Sequence, residues 1–393
     1  MILTYQYRLL PSKSQHRALE AMLESQRLLY NAALEERIGA YRRGVRRGYF
    51  DQAKALTEWR HPDAEAASVP VTLQRATLKR MDAAYKCFFR RVKAKASKAG
   101  FPRFRGKGWW HSFGFAEFQG ISLRGPWLRF RGMPGLLRVH FHRPLPEPTR
   151  IRCCTFRRDT KGWIVSFVVD VVASSSREGA RSVGFDLGIT TFVALSDGGF
   201  IPSLRAARHA QRRLRTAQRS LARKQQGSAS RRKARLRLAR CHAVTSRART
   251  NFLHQASARL IREYDVISME ALNIRGLARG ALARDVHDAS WAKFLSMLRY
   301  KAERAGVRLL EVDPRNSSQD CSGCGMRVSK DLDTRRHECP HCGLSMDRDL
   351  NAARNILDRA GVGPGLRNVA DLGKRAGRNL NSDRADYVYP GGV

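Results

Sequence analysis

Residues 181–199 read RSVGFDLGITTFVALSDGG, and the acid in the middle of this stretch decides how the chain is to be folded. From Ser182 the residues are those of a buried strand, short and apolar, yet Asp186 interrupts it. Taking an isolated carboxylate out of water costs several kcal/mol, on the order of what a whole buried side chain returns, unless the group is paired or holds a metal. Gly184 and Gly188 flank the acid and leave room for a backbone or a phosphate to approach. TFVALSDGG (191–199) then reads as the returning strand of a hairpin. A structural ion pair or a turn carboxylate is the ordinary alternative for Asp186.

Downstream of this hairpin the pattern becomes strand, helix, strand, helix, which predicts an α/β domain. Two more acids stand in places that such a sheet uses. In REYDVISMEALNI (262–274), Val266, Ile267 and Met269 make a short strand and Glu270 stands at its end, where open α/β sheets bind ligands. A helix N-terminal carboxylate without chemistry would explain Glu270 equally well. In DRDLNAARNIL (347–357), Asp349 is placed to cap the helix that carries Leu350, Ala353, Ile356 and Leu357. Asp347, two residues earlier and outside the expected helix start, is its competitor. Capping alone would account for one such Asp, but Asp186, Glu270 and Asp349 on one framework could together chelate two Mg²⁺ for in-line phosphodiester hydrolysis.

Between the second and third acids lie Cys321-x-x-Cys324 and Cys339-x-x-Cys342, fourteen residues apart and followed by Gly325 and Gly343. This is the spacing of two knuckles closing on one tetrahedral Zn²⁺. His337 and His341 are near, but four thiolates complete the shell, so the zinc is expected to be structural. The remaining cysteines, Cys87, Cys153, Cys154 and Cys241, show no ligand spacing and read as ordinary buried thiols.

Composition says what such a site would act on. Lys and Arg number 74 against 34 Asp and Glu, a formal charge of +40, which calls for a polyanionic partner. The charge is concentrated: no Asp or Glu occurs from Gly198 to Arg262, while sixteen Arg and Lys fall between Arg205 and Arg249. A helical hairpin over about 203–262, with a seam of Ala and Leu at steps of three and four, would present these guanidinium groups to nucleic acid. Arg212, Arg213, Arg231, Arg232, Lys233, Arg247 and Arg249 are its candidate contacts, with Arg354 on the last helix. No run of eighteen apolar residues occurs, and MILTYQYRLL lacks the features of a signal peptide. A soluble, cytoplasmic, nucleoid-associated protein without a membrane partner is expected.

The N-terminal half differs. MILTYQYRLL reads as a strand ended by Pro11, Ser12 to Gln15 as a capping box opening a helix, and Val71 to about Lys98 as a second helix. FPRFRGKGWWHSF (101–113) alternates aromatics with bases, and two readings stand level. It is a single-strand or guide-binding segment, with Arg103, Arg105, Lys107 and Trp109 as contacts, or a loop whose rings plug a core. Residues from about 121 to 172 read as short strands of a small antiparallel barrel or sheet that the first strand could join.

Together YRLLPSKSQ, FPRFRGK, VGFDLGIT, ISMEALNIRGL, VDPRNSSQDCSGCG, CPHCG and DRDLNAARNIL resemble the TnpB family, also called OrfB. These are transposon-encoded RNA-guided DNA endonucleases related to type V CRISPR effectors. The resemblance implies a multidomain α+β chain: an RNase H-like (RuvC) α/β nuclease domain with an inserted zinc ribbon, preceded by a wedge β-barrel with a helical recognition insert. On this sequence the wedge would be 1–10 and 111–178, the recognition insert 11–110, the nuclease 181–315 and 347–360, the ribbon 316–346, and 361–393 a disordered tail. Asp186, Glu270 and Asp349 match the family's metal-binding carboxylates, and the four cysteines its zinc ligands. Ala271 and Met346 depart from common family residues without removing a ligand.

The expected protein binds a transposon-derived noncoding guide RNA and cleaves complementary double-stranded DNA beside a short adjacent motif, with two Mg²⁺ and one structural Zn²⁺, in functional association with a partner transposase. Its rivals are a catalytically silent RNA-guided DNA-binding repressor and an RNase H-like transposase.

Overall fold

A computed structural model describes residues 1–63, 67–146, 150–177, 179, 181–280, 283–331 and 333–362. The expected disordered tail therefore lies, from residue 363 on, outside the described residues. The chain divides into two compact units, at Val172 and Ala173.

In the first unit, strand β1 (Ile2–Leu10) alternates without a break, burying Leu3, Tyr5, Tyr7 and Leu9 and exposing the residues between them. A strand with one wet face needs that period of two. It lies at the centre of a seven-stranded antiparallel sheet ordered β2-β6-β7-β1-β5-β4-β3. The others are β2 (Ser112–Phe115), β3 (Ile121–Arg124), β4 (Trp127–Phe130), β5 (Leu137–His140), β6 (Arg150–Asp159) and β7 (Gly162–Asp170). Among the described residues β2 and β3 are the two ends of this order, so a sheet rather than a closed barrel is what is observed.

Between β1 and β2 come helices α1 (Lys13–Arg42), α2 (Tyr49–Arg60) and α3 (Val71–Lys93). Ser12 opens α1 with the expected box: Gln15 N donates to Ser12 Oγ at 3.2 Å and Ser12 N to Gln15 Oε1 at 3.0 Å. Helix α2 was not legible in the sequence, because it buries only Gln52 and Leu56 and so shows no apolar stripe. Its anchor is polar instead: Arg37 Nε donates to Gln52 Oε1 at 2.9 Å and Gln52 Nε2 to the Ala33 carbonyl at 2.8 Å. Helix α3 ends at Lys93, short of the expected Lys98, where Lys95 turns to φ 50°.

The second unit is built on a five-stranded sheet ordered β10-β9-β8-β11-β12. Strands β8 (Ser182–Asp186), β9 (Thr191–Leu195) and β10 (Phe200–Pro202) form an antiparallel meander, which includes the hairpin read from residues 181–199. Strands β11 (Val266–Glu270) and β12 (Arg308–Val312) then join the other side of β8, parallel to it. The first crossover is the basic hairpin of α4 (Ala206–Ala222) and α5 (Ala229–Glu263); the second carries α6 (Ile274–Leu277), α7 (Ala283–Ala289) and α8 (Trp291–Ala305). Leu253, Leu260 and Ile261 of α5 and Phe294, Leu295 and Leu298 of α8 pack with Val183, Phe185, Phe192, Ile267 and Met269 of the sheet in one core. After β12 come a short hairpin, β13 (Arg336–Glu338) with β14 (Ser345–Asp347), and the last helix, α9 (Arg348–Arg359).

Gly184 shows how α9 reaches the sheet. A Cβ there would collide with the carbonyl oxygen of Ala353 and lie 2.7 Å from the amide nitrogen of Leu357. Glycine in the middle of β8 is thus the space that the helix backbone occupies.

Candidate active site and metal centre

Parallel pairing brings the first two acids together. Phe185 stands opposite Met269, so the next residues, Asp186 and Glu270, end neighbouring strands on the same side of the sheet, about 5 Å apart by strand spacing. Asp349 arrives on the first turn of α9, within reach of the loop after β8: its Oδ2 lies 3.6 Å from where a Cβ on Gly188 would stand. Burial first, and then the charges of Glu270 and Asp349, push the Asp186 carboxyl up to about 7. Burial raises Glu270 as well, against a hydrogen bond from Ser317 and the charge of Arg359 that lower it. Carboxylates that oppose one another's ionisation in this way are suited to a divalent cation, which relieves both the desolvation and the repulsion.

The expected cap is corrected. Asp347, not Asp349, is the N-cap of α9, accepting from the amides of Asp349 at 2.8 Å and Leu350 at 3.1 Å. A cap must precede the first helical residue, and the helix starts at Arg348. This frees the Asp349 carboxylate from helix capping.

Sequence reading missed the residues that hold this corner. Asn351, Asn355 and Arg359 recur every four residues along α9, and all three bind the segment between β12 and the first knuckle. The signal was present as two buried asparagines in an otherwise Ala- and Ile-rich face.

The four cysteine sulfurs lie within 4.8 Å of one another. Cys321 Sγ is 3.7 Å from Cys342 Sγ, and Cys324 Sγ is 3.6 Å from Cys339 Sγ. Four thiolates at about 2.3 Å around a tetrahedral Zn²⁺ sit about 3.8 Å apart, so the donor set fits that ion. The thiols oppose one another's ionisation: burial raises Cys339, but hydrogen bonds with the backbone of Cys342 and His341 and with neighbouring thiols bring it down to about 6, while hydrogen bonds among the same thiols hold Cys324 and Cys342 up. Neither His337 nor His341 joins the cluster. Of the other cysteines only Cys154 is fully buried; Cys87, Cys153 and Cys241 are half-buried.

The candidate nucleic-acid contacts separate into exposed and engaged groups. Arg212, Arg213, Arg232, Lys233 and Arg354 are exposed, whereas Arg247 is half-buried. Arg231 closes the basic hairpin, donating to the Leu221 and Lys224 carbonyls at 3.3 and 2.7 Å. Arg249 pairs with Asp288 at 2.6 Å. Residues 101–113 divide between core and surface: Trp110 is 2 % exposed and plugs the core beneath the Arg80 guanidinium, as the core reading expects, while Trp109 is 71 % exposed. Asn31 pins the loop by bonding both the amide and the carbonyl of Arg105, at 2.8 and 3.0 Å. The side chains of Arg103, Arg105 and Lys107 remain exposed.

Three family models match the chain: "Probable transposase" over residues 166–281, "Cas12f1-like, TNB domain" over 291–356 and "Helix-turn-helix domain" over 1–46. A Streptomyces pristinaespiralis protein named "Putative RNA-guided DNA endonuclease" is 37% identical over 332 residues, covering 82% of this chain and 80% of its own length. The chain belongs to the TnpB (OrfB) family. A second relative, "Putative RNA-guided DNA endonuclease InsQ" of Escherichia coli K12, is 24% identical over 354 residues, 82% of this chain and 83% of InsQ. The cryo-EM structure of a Cas12f1–sgRNA–target DNA complex matches with a TM-score of 0.56 at 14% identity, over 88% of this chain and 83% of that one. Over residues 1–46 this TnpB chain has a strand and one long helix rather than a helix-turn-helix. Among the described residues no helix is long and apolar enough to cross a membrane.

Proposed function

We propose that the chain is an RNA-guided DNA endonuclease, which binds a noncoding guide RNA derived from its transposon and cleaves matching double-stranded DNA beside a short adjacent motif. The observation that carries the reading is the convergence of Asp186, Glu270 and Asp349, from three distant segments, on one edge of one sheet. The relatives' names support it. Under this reading 181–315 and 347–360 form an RNase H-like (RuvC) nuclease domain, for which the meander followed by two parallel strands speaks. Residues 316–346 are its zinc ribbon, 1–10 with 111–178 a wedge domain, and 11–110 a recognition insert.

Magnesium, as two ions, would supply Lewis acidity to the water and to the leaving oxygen. Asp186, Glu270 and Asp349 would hold it. Ser317 keeps one Glu270 oxygen engaged, and the apolar core behind Val183, Phe185 and Met269 excludes water from that side. Hydrolysis adds water across a phosphodiester, breaks the P–O3′ bond and leaves 5′-phosphate and 3′-hydroxyl ends. Exposed bases such as Arg212, Arg232 and Lys233 would hold the polyanion, so binding should weaken steeply with salt.

The test is to sequence RNA that co-purifies with the chain and to reprogram it against a plasmid. Guide-matched cleavage in Mg²⁺ and none in EDTA is expected. Guide-dependent occupancy without cleavage would instead assign a silent repressor, and guide-free strand transfer of element ends a transposase.

A further inference from the structure

Residues 313–322, DPRNSSQDCS, leave the last strand of the sheet and enter the first cysteine knuckle. Helix α9 holds them on one side. Asn351 Nδ2 donates to the Asp320 carbonyl at 2.8 Å and its Oδ1 accepts from Ser322 N at 2.9 Å. Asn355 Nδ2 donates to the carbonyls of Ser317 at 2.8 Å and Asp320 at 2.7 Å. Arg359 donates to the Asp313 and Arg315 carbonyls at 3.0 and 2.7 Å and pairs with Asp320 at 2.7 Å. On the other side Ser317, 5 % exposed, reaches the sheet and donates its hydroxyl to Glu270 Oε1.

We propose that Ser317 is a positioning residue for Glu270, fixing the plane of that carboxylate so that its second oxygen faces the cation. The proposal rests on the reading of Glu270 as a metal ligand. A glutamate at a strand end has three side-chain torsions to lose before it can ligate, and a buried donor on one oxygen removes most of that freedom in advance. Water cannot replace the donor easily, because Ser317 is enclosed. Asn355 holds the Ser317 backbone, and Asn355 belongs to the helix that carries Asp349. One helix thus supplies one acid and fixes the group that orients another. The Pro314 carbonyl, 3.2 Å from Ser317 Oγ, offers the competing role, a hydroxyl that only closes a turn.

The experiment compares the full chain bound to its guide RNA as wild type, Ser317→Ala, Ser317→Thr, Ser317→Cys, Glu270→Ala and the Ser317→Ala/Glu270→Ala double variant. Mn²⁺ affinity is read by electron paramagnetic resonance without DNA, and the Mg²⁺ concentration for half-maximal cleavage is read beside it. Removing a partner of a ligating side chain costs about 10- to 100-fold in metal affinity, so Ser317→Ala should bind Mn²⁺ about 10-fold more weakly. Thr should restore binding, and Cys, a weak donor, should fall between. On the Glu270→Ala background Ser317→Ala should cause no further loss. Wild-type Mn²⁺ affinity in Ser317→Ala, or a full additional loss in the double variant, overturns the proposal and leaves Glu270 a ligand. Wild-type metal binding and cleavage in Glu270→Ala overturn the ligand reading itself, and the proposal with it. If Ser317→Ala does not fold, the Thr and Cys variants carry the test, and equal affinities in those two overturn the proposal.

Discussion

The cysteine cluster and the carboxylate cluster lie in one unit of the chain and are assembled in opposite ways. All four sulfurs come from residues 321–342, and two tight turns suffice to bring them within 4.8 Å. The acids come from Asp186, Glu270 and Asp349, and only a parallel strand pairing and a helix laid against Gly184 bring them together. A local site gains its stability from the metal it closes on; a site built on a completed sheet draws on the fold's stability instead, and in turn weakens the fold through crowded charge.

The largest effect that this contrast predicts is on the cysteine side. Structural zinc contributes on the order of 10 kcal/mol to a small domain that cannot fold without it, so Cys339→Ser should lose zinc by elemental analysis and melt the ribbon. Because Asn351 and Asn355 tie α9 to the segment entering the ribbon, cleavage should be lost as well.

On the carboxylate side the sign reverses. The Asp186 carboxyl is pushed up to about 7 from an ordinary 3.8, so between those values the folded state binds a proton that the unfolded state has released. Without magnesium, stability should therefore fall as pH climbs from about 4 to about 7, by up to about 4 kcal/mol from this group, and then level off. Asp186→Asn should raise the melting temperature of the magnesium-free, zinc-retaining protein at pH 8 and change it little at pH 4. A lower melting temperature at pH 8 would show that the site is not crowded.

Gly184→Ala tests the packing that unites the acids. Its methyl would strike the Ala353 carbonyl, and overpacking of this kind costs about 1–3 kcal/mol; urea unfolding should show it. Smaller still is the effect of Arg212→Ala. Under the proposed function the exposed Arg212 would contact one phosphate, and its loss should lower the salt slope of RNA binding by about 1, whereas Arg231→Ala should destabilise the basic hairpin whose carbonyls it bonds.

How much was legible follows from the same contrast. Cysteine spacing is local, so the cluster could be read directly. Asp186 stood out because an acid in an apolar strand must be explained, and Glu270 because it ends a strand. What could not be read depends on tertiary partners. Ser317 looks like any loop serine until Glu270 is placed beside it. Helix α2 packs through Gln52 and leaves Phe50 84 % exposed, so periodicity gave no sign of it. Asp347 and Asp349 differ as cap and candidate ligand by the helix start, which sequence places only to within a few residues.

In this division the acids would perform the chemistry and the cysteines hold the structure. The most direct test is Asp186→Ala, assayed with guide RNA and Mg²⁺ on a matched plasmid. One zinc per chain, normal RNA binding, a melting temperature undiminished in the absence of magnesium, and no cleavage are expected. Cleavage at the wild-type rate by that protein would contradict this division.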